Sequence, residues 1–496
     1  MSRRFREGTN PMKLSLRSRF FACAFLVLGM LACDVRLASA LPTGKVIAIP
    51  AFARKYGLPC SACHTAWPEL NNFGQVFRDN GYQLMNDRDS PIWQNPSYFP
   101  IAFRITPNWH RETADHQVID SIPGGGGGSV PIDGKVIQSG FDLSGMDLWS
   151  AGTIYKNISF VLLPSSDPTA VWHFESAFIR FDNLAGSRWL NLKFGRFELD
   201  NIISEKRFLF LTNNGGLYQI YHFNVPGSLN NFGYGDNQIG VEIAGHSINS
   251  YERYSIAVLS SNEGGVNFTT DVVPGAPPAG RSYDVNLAYT QGFNAPGFSE
   301  SGIGVQRIQP FAYIGRRPTY NETTGGAALV GEGNKPFYRI GVQGIFTFKN
   351  LEIDPLFMHG YDNAYLGTAT PSNSGALPAG SQGPTFNGGF LEAHYYFNPQ
   401  NVVMARYEQI NVGKQALPSA VTGLPGNYGN VKAYSVAYRW YPIMFSRAGL
   451  AVHAEYSITK SIGIVPESGD GTGGPPLLPT DGVWSSSTFL GFDFAF

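Results

Sequence analysis

Residues Tyr283–Thr290 read YDVNLAYT, in which tyrosine, valine and leucine alternate with aspartate, asparagine, alanine and threonine. Successive side chains of a β-strand point to opposite faces, so this stretch predicts a strand with one apolar and one polar face. The same alternation runs through residues 239–244, 391–397 and 450–456. An apolar face that meets lipid and a polar face that lines a lumen are typical of a transmembrane β-barrel.

The chain from residue 99 onward keeps to this pattern. Its apolar–polar segments of about ten residues are separated by stretches rich in Gly, Pro, Asn and Ser. The final residues Leu490–Phe496 carry alternating aromatics and resemble the terminal strand of bacterial outer-membrane barrels. A soluble β-sandwich is the alternative, but it would not need so many outward aromatic side chains. We therefore predict an all-β fold over residues 99–496, an outer-membrane β-barrel of about 16 strands.

Long connections are expected where Gly, Pro and Ser are concentrated. In outer-membrane barrels the long loops face the exterior and the short turns face the periplasm. The candidate loops are Ile122–Gly134, Val272–Arg281, Thr368–Pro384, Leu417–Gly429 and Pro466–Thr480.

The composition of the 496 residues agrees with a membrane barrel and excludes several other classes. Charged residues make up 15%, against about 25% in ordinary soluble domains, and aromatic residues reach 14%. The formal net charge is −1, whereas a nucleic-acid binder needs a marked basic excess. A hydrophobic content of 43% also excludes a charge-rich disordered chain.

Residues 1–40 have the pattern of a cleaved export signal. A basic stretch, Met1–Arg19, precedes the apolar stretch Phe20–Ala32, and Ala38–Ala40 matches the small-x-small cleavage rule. A membrane anchor would need about 20 apolar residues, more than this stretch offers. Lipid attachment at Cys33 is the weaker alternative. We expect export of the chain to the outer membrane of a Gram-negative bacterium.

The mature chain then keeps only two of its four cysteines, and both lie in Cys60-Ser61-Ala62-Cys63-His64. This is the attachment pattern of a c-type haem. Two thiols on one helical turn can form thioethers to one porphyrin, and His64 can ligate its iron from the proximal side. A redox dithiol would need a thioredoxin-like context, and a structural zinc site would need four ligands. The sequence therefore predicts one covalent haem c.

The residues around this motif predict short helices. Pro50–Tyr56 could form a helical turn that ends at Gly57. Pro68–Asn80 predicts a helix with Pro at its first position and Gly81 just beyond its end. Its apolar stripe, expected to pack against the porphyrin, is Leu70, Phe73 and Phe77.

The second axial ligand of the haem iron stays open between Met85 and His110, with His116 as a further candidate. A methionine would raise the reduction potential relative to a histidine. Arg54 and Lys55 could offset the charge of the haem propionates, or they could form a solvated helix face.

The residues that carry a family resemblance are Pro50–Gly57, Cys60–His64, Leu70–Gly74 and Gly81-Tyr82. They resemble the fused monohaem cytochrome c–porin family of the outer membrane, of the iron-oxidising type. The resemblance implies that Cys60 and Cys63 bind haem and that His64 ligates the iron. It also implies electron flow from an extracellular donor, ferrous iron, to periplasmic c-type cytochromes or other soluble carriers.

The resulting hypothesis is an electron-transfer protein in which residues 41–98, the haem segment, plug the lumen of the barrel. Two alternatives remain, a passive porin whose haem is structural or sensory, and a haem peroxidase. Carboxylates expected in the lumen could attract cations, or they could pair with Arg339, Arg406 or Arg439. These carboxylates are Glu175, Glu242, Asp284, Glu392 and Glu455.

Overall fold

The computed structural model describes most of the chain beyond the predicted export signal. The described residues are 51–85, 89, 91, 101–123, 129–166, 171–207, 209–226, 233–260, 283–294, 305–318, 321–322, 328–329, 334–362, 383–415, 425–444, 448–462 and 482–495. The expected signal peptide and its cleavage site lie outside these residues. Ala48–Phe496 forms one compact unit.

Sixteen strands of the described residues form a closed barrel. Consecutive strands are antiparallel neighbours, and β1 pairs with β18 to close the ring, as in the register Arg104↔Ala495. The barrel strands are β1 (Ile101–Pro123), β2 (Ser129–Tyr155), β3 (Ile158–Ser166), β4 (Trp172–Phe181), β5 (Asn191–Phe197), β6 (Gln238–His246), β7 (Glu252–Ser260), β8 (Tyr283–Phe293), β9 (Gln306–Pro318), β12 (Asn334–Phe348), β13 (Leu351–Tyr361), β14 (Thr385–Asn398), β15 (Asn401–Lys414), β16 (Val431–Met444), β17 (Gly449–Ser461) and β18 (Val483–Ala495). Strands β10 (Asn321–Glu322) and β11 (Ala328–Leu329) form a separate pair. The predicted fold class and strand number are confirmed.

The two faces of the strands separate as the alternation predicted. On β8, Tyr283 is 77% exposed on the outside, whereas Asp284 is fully buried in the lumen. Leu391 and Tyr395 on β14 are likewise exposed, while Glu392 between them is buried. A closed barrel leaves no unpaired strand edge, and its apolar outside can face hydrocarbon. The protein is thus a multi-strand barrel of the bacterial outer membrane.

One predicted loop is wrong. The stretch Ile122–Gly134 was expected to be a loop, but β1 continues to Pro123 and β2 already begins at Ser129. The pairs Pro123↔Ser129 and Ile122↔Val130 extend the hairpin into the Gly-rich stretch because backbone pairing needs no particular side chain. The other four predicted loops lie wholly or mostly outside the described residues.

The haem segment folds into three short helices, α1 (Ala51–Tyr56), α2 (Cys60–Cys63) and α3 (Asn72–Asp79). The predicted turn before Gly57 is confirmed as α1, but the helix expected from Pro68 begins only at Asn72. The Asn71 side chain accepts a hydrogen bond from the Gly74 amide at 2.9 Å and caps α3 at that point. No described helix is long and apolar enough to cross a membrane.

The lumen contains a second filling element that the sequence did not predict. The described residues between β5 and β6, 198–207, 209–226 and 233–237, fold inward and form a buried core with the inner faces of the strands. Tyr218 stacks on Phe390 of β14 with ring centroids 4.3 Å apart, and Tyr234 stacks on Phe311 of β9 at 4.7 Å. The described interior of the barrel is therefore packed with aromatic side chains.

Candidate functional site

A cavity of about 300 Å³ lies between the haem segment and the barrel wall. Cys60, Cys63 and His64 all line it, so the structure brings the three residues of the attachment motif together at one space. The wall opposite them comes from β1 to β7. The strand ends involved are those joined by short turns, such as Lys156-Asn157 between β2 and β3.

The orientation of His64 is set by two main-chain carbonyl groups. Its Nδ1 lies 3.1 Å from the oxygen of Pro68 and 3.1 Å from the oxygen of Glu69. A proton on Nδ1 can donate to these oxygens, which leaves Nε2 as the atom with a free lone pair. Burial lowers the pKa of His64 to about 4, so the imidazole is neutral, as a metal ligand must be.

The short helix that carries the cysteines is held by α3. Asn71 Nδ2 donates to the main-chain oxygens of Ala62, at 3.1 Å, and Ser61, at 3.3 Å. Gly74 packs so closely that a Cβ there would overlap the main-chain oxygen of Cys63. A glycine at this position therefore lets α3 press against the motif.

The environment of the two thiols differs from that of a redox dithiol. Burial raises the pKa of both Cys60 and Cys63 to about 11, which suppresses the thiolate. Redox-active cysteines instead have a lowered pKa in an electropositive, partly exposed setting. The geometry thus disfavours the dithiol alternative.

The cavity wall beside the motif is aromatic. Phe52 stacks on Tyr82 with centroids 5.2 Å apart, and Phe77 meets Phe52 edge-on at 5.0 Å. Leu70 and Phe77 line the cavity as the predicted stripe requires. Phe73 does not line it and is 44% exposed, so the predicted stripe holds only in part.

Cationic side chains surround the same cavity. Each has a carboxylate partner, and the lining cations are Arg78, Arg104, Arg180, Lys193, Lys206, Arg207 and Arg253. Arg78 reaches Glu198 with Nη2 at 3.6 Å, but its buried Nη1 has no hydrogen-bond partner. Lys55 does not line the cavity and lies over the ring of Tyr56, and the side chain of Arg54 is outside the described part of the chain.

None of the three sequence candidates for the second axial ligand, Met85, His110 and His116, lines this cavity. Met85 is 42% exposed, and His110 lies on β1 with its Nδ1 3.8 Å from Glu112. His246, at the end of β6, does line the cavity and is buried. Its Nδ1 is 2.9 Å from the main-chain oxygen of Ser247. Nε2 is therefore the ring nitrogen that does not make this contact. Sequence reasoning missed His246 because only the folded barrel places it on the same cavity as the attachment motif.

The residues present fit a c-type haem. Two thiols lie next to a neutral imidazole whose Nδ1 is held by carbonyl groups, the usual second-shell partner of a ligating histidine. Aromatic rings supply apolar walls for a porphyrin, and the unpartnered Nη1 of Arg78 offers a donor for an anionic propionate.

A second cavity of about 320 Å³ adjoins the first, because Arg104, Trp149 and Lys206 line both. It extends along β1 and β2 away from the short-turn end. Its acidic lining residues are Asp147, Glu175, Glu205 and Asp236. Two of these four carboxylates have basic partners, since Lys206 lies 2.9 Å from Glu175 and His222 lies 2.8 Å from Glu205.

The carboxylates predicted to face the lumen do so, but most have partners other than the predicted arginines. Arg406 lies 3.3 Å from Glu392, which agrees with the alternative that the lumen carboxylates pair with arginines. Arg339 and Arg439 instead pair with Asp362 and Asp493. The remaining pairs are Glu175 with Lys206, Glu242 with Lys193, Asp284 with the hydroxyl of Tyr313, and Glu455 with His453.

No family model matches the chain. No curated protein matches it either. Among solved structures it is similar to the outer-membrane channel DcaP of Acinetobacter baumannii, at 10% identity over 79% of this chain and 96% of that chain, with a TM-score of 0.45. It is also similar to an anion-selective porin from Comamonas acidovorans, at 10% identity over 80% and 99% of the two chains, with a TM-score of 0.45. At this identity the likeness concerns the barrel fold alone.

Proposed function

We propose that this barrel is an outer-membrane electron-transfer cytochrome–porin that carries one covalent haem c on Cys60, Cys63 and His64. It takes electrons from an extracellular donor, ferrous iron, and delivers them to a periplasmic c-type cytochrome or other soluble carrier. The observation that carries the proposal is the position of the attachment motif, which lines a cavity inside a closed membrane barrel. The resemblance of the haem segment to the monohaem cytochrome–porins supports the same reading.

The haem supplies a one-electron redox couple. The chain's own residues attach it and fix its surroundings. Cys60 and Cys63 hold it covalently, and the carbonyl groups of Pro68 and Glu69 keep Nε2 of His64 free for the iron. Arg78 offers its unpartnered Nη1 to a propionate. Covalent attachment would keep the group from being lost to the surrounding water.

His246 would be the second histidine that holds the haem iron in this proposal. It is buried, lines the same cavity as His64 and has its Nδ1 held by the carbonyl group of Ser247. With both histidines on the iron, the haem would have no open position for peroxide, and electron transfer would be favoured over a peroxidase.

The packed interior favours electron transfer over passive diffusion of solutes. The described residues between β5 and β6 fill the described lumen with a buried core that includes Tyr218, Tyr221 and Tyr234. A charged solute will not cross the surrounding hydrocarbon cheaply. An electron needs only redox groups at suitable positions. The short-turn end, where the cavity lies, faces the periplasm in outer-membrane barrels and suits delivery to a soluble carrier.

The proposal is tested with the full-length protein, expressed in a Gram-negative host that matures c-type cytochromes and purified in detergent. Covalent haem is detected by haem staining after denaturing electrophoresis, and reduction is followed by absorbance after anaerobic addition of Fe(II). We expect one haem per chain and reduction by Fe(II), with both lost in the Cys60→Ala, Cys63→Ala double variant. A folded barrel without haem, or a haem that Fe(II) does not reduce, would falsify the proposal.

Planar-bilayer conductance distinguishes the passive-porin alternative from the proposed electron-transfer function. A passive porin would conduct ions equally well with and without the two cysteines. The packed lumen predicts low conductance in both forms. A large, haem-independent conductance would favour the porin.

A further inference from the structure

Four carboxylates surround His394 where the haem segment meets the barrel wall. Oε1 of Glu392 lies 2.7 Å from Nε2 of His394. Oε2 of Glu69, from the haem segment, lies 3.4 Å from Nδ1 of His394, and Oε1 of Glu352 lies 3.6 Å from the same nitrogen. Asp354 completes the cluster beside Glu392 and His394. Both ring nitrogens of this histidine therefore face carboxylate oxygens.

The register of two neighbouring strands creates this arrangement. Glu352 and Asp354 are two residues apart on β13, and Glu392 and His394 are two residues apart on β14, so each pair shares a face of its strand. In the antiparallel ladder Glu352 is opposite His394, and Asp354 is opposite Glu392. All four side chains therefore point into the lumen at one place.

Asp354 is the member whose bonding is incomplete. It is only 6% exposed, yet its buried Oδ1 has no hydrogen-bond partner. Leaving a buried carboxylate oxygen unpaired is costly, so a donor or a cation bound at this atom would be stabilising. Ligand atoms of Asp354, Glu392 and His394 lie within 4.8 Å of one another. A cavity of about 50 Å³ adjoins them, which is room for an ion and little more.

The charges around the cluster also favour a cation. Glu69, Glu352, Asp354 and Glu392 supply four carboxylates. Arg406 lies 3.3 Å from Glu392, and Arg307 lines the same small cavity. Arg207 also lines it, and its guanidinium shares Glu198 with Arg78. The four carboxylates outnumber these three arginines, so a bound cation would meet more acidic than basic side chains.

We propose that Asp354, Glu392 and His394 bind a divalent transition-metal cation, with Fe(II) as the ion that serves the proposed function. Carboxylate oxygens and an imidazole nitrogen suit Fe(II) and Mn(II). The ion takes the place of the proton between Glu392 and His394 and engages the unpartnered oxygen of Asp354. Glu69 and Glu352 add negative charge on the other side of the imidazole.

The location deepens the proposed function and rests on it. Glu69 links the cluster to the motif, because its main-chain oxygen accepts from Nδ1 of His64 while its carboxylate faces His394. An Fe(II) ion at the cluster loses one electron and becomes Fe(III) on the same ligands. The electron reduces the c-type haem from ferric to ferrous, and no proton or bond need be exchanged.

Binding is tested with Mn(II), which has the ligand preferences of Fe(II) but does not reduce a haem. The full-length haem-containing protein is treated with chelator in detergent and then titrated with Mn(II), and the free ion is followed by electron paramagnetic resonance. We expect one Mn(II) per wild-type chain. Asp354→Asn should weaken binding by about 10- to 100-fold. The matched control is Glu112→Gln, a lumen carboxylate on β1 that accepts from Ser487, and it should bind as wild type does.

Folding of the variants is checked by the shift of the heated and unheated barrel in electrophoresis. Asp354→Asn keeps the size of the side chain and removes an unpaired buried charge, so without metal it should be at least as stable as wild type. The site is overturned if wild type binds no Mn(II), or if Asp354→Asn and Glu112→Gln bind it equally well. In that case the cluster holds a shared proton instead of an ion.

The rate of haem reduction by Fe(II) under anaerobic conditions then distinguishes a failure of this site from a failure of the proposed function. Slower haem reduction in Asp354→Asn, with reduction by dithionite unchanged, supports the site. Equal rates in wild type and variant overturn its role in oxidation but leave the electron-transfer function standing. Tight Mn(II) binding with no reduction by Fe(II) supports the cation site and overturns the electron donor.

Discussion

Glu69 contacts His64 through its main chain and His394 through its side chain. Its carbonyl oxygen lies 3.1 Å from Nδ1 of His64, and its Oε2 lies 3.4 Å from Nδ1 of His394. Tyr396 donates to the same carboxylate at 2.9 Å. One residue of the haem segment thus connects the proposed haem ligand to the barrel wall, and its two contacts can be altered separately.

Replacing Glu69 by Gln keeps the main-chain acceptor for His64 and removes one negative charge near the haem. Less negative charge destabilises the ferric form relative to the ferrous form, so the reduction potential should rise. A change of about 1 kcal/mol corresponds to roughly 40 mV for one electron, and we expect a shift of that order. Spectroelectrochemical titration of the purified protein measures it.

Glu112→Gln serves as the control for this shift because Glu112 does not line the haem cavity. Equal potentials in wild type and Glu69→Gln would show that this carboxylate carries no net charge or that the haem lies too far from it. A lost Soret band would instead indicate that the variant fails to hold the motif.

His246→Ala should convert the haem iron from six-coordinate low-spin to high-spin, because the variant removes the proposed second ligand. Absorbance and electron paramagnetic resonance of the ferric protein report the change directly. Covalent attachment should persist, since Cys60 and Cys63 are untouched.

Two of the three candidates from the sequence give the matched controls. Met85→Ala and His110→Ala should leave the spin state unchanged, because neither side chain lines the cavity. A high-spin spectrum in either of these variants, with His246→Ala still low-spin, would rule out His246.

The barrel and the attachment motif could be predicted from the sequence because both depend on local patterns. Alternation along β8 assigned Asp284 to the lumen correctly, and the spacing of Cys60, Cys63 and His64 needs no tertiary information. The start of α3 was misplaced because Asn71 caps the helix while Pro68 lies in the preceding turn. Pro at a first helical position and Pro in a turn are alike in sequence.

The rest of the site depends on contacts that no local pattern reveals. Residues 198–237 have little alternation, and only the structure shows that they fold into the lumen. His246 and His394 reach the haem segment through closure of the barrel. Glu-x-Asp at 352–354 and Glu-x-His at 392–394 are ordinary strand sequences until the β13–β14 register places them opposite each other.

Gly74→Ala should impair haem attachment. The added Cβ would overlap the main-chain oxygen of Cys63, so α3 must move away from the motif. We expect the covalent haem per folded barrel to fall severalfold, measured by haem staining against total protein. Gly140→Ala on β2 is the control, since a Cβ there meets nothing within 4 Å. Equal haem content in the two variants would contradict the role assigned to this contact.

The pair of His222 and Glu205 should make the stability of the filled lumen depend on pH. Burial lowers the pKa of His222, but the Glu205 carboxylate, 2.8 Å away, outweighs it and raises the pKa to about 9, with Asp236 adding to the effect and Lys206 opposing it. Because the folded pKa lies above the unfolded value of about 6.5, the stabilisation is complete below that value and is lost as the pH rises through about 9. The contribution is at most about 3 kcal/mol. Thermal unfolding in detergent at pH 6 and pH 10 should therefore show a larger loss of stability in wild type than in His222→Gln, and equal losses in the two proteins would show that the pair contributes nothing.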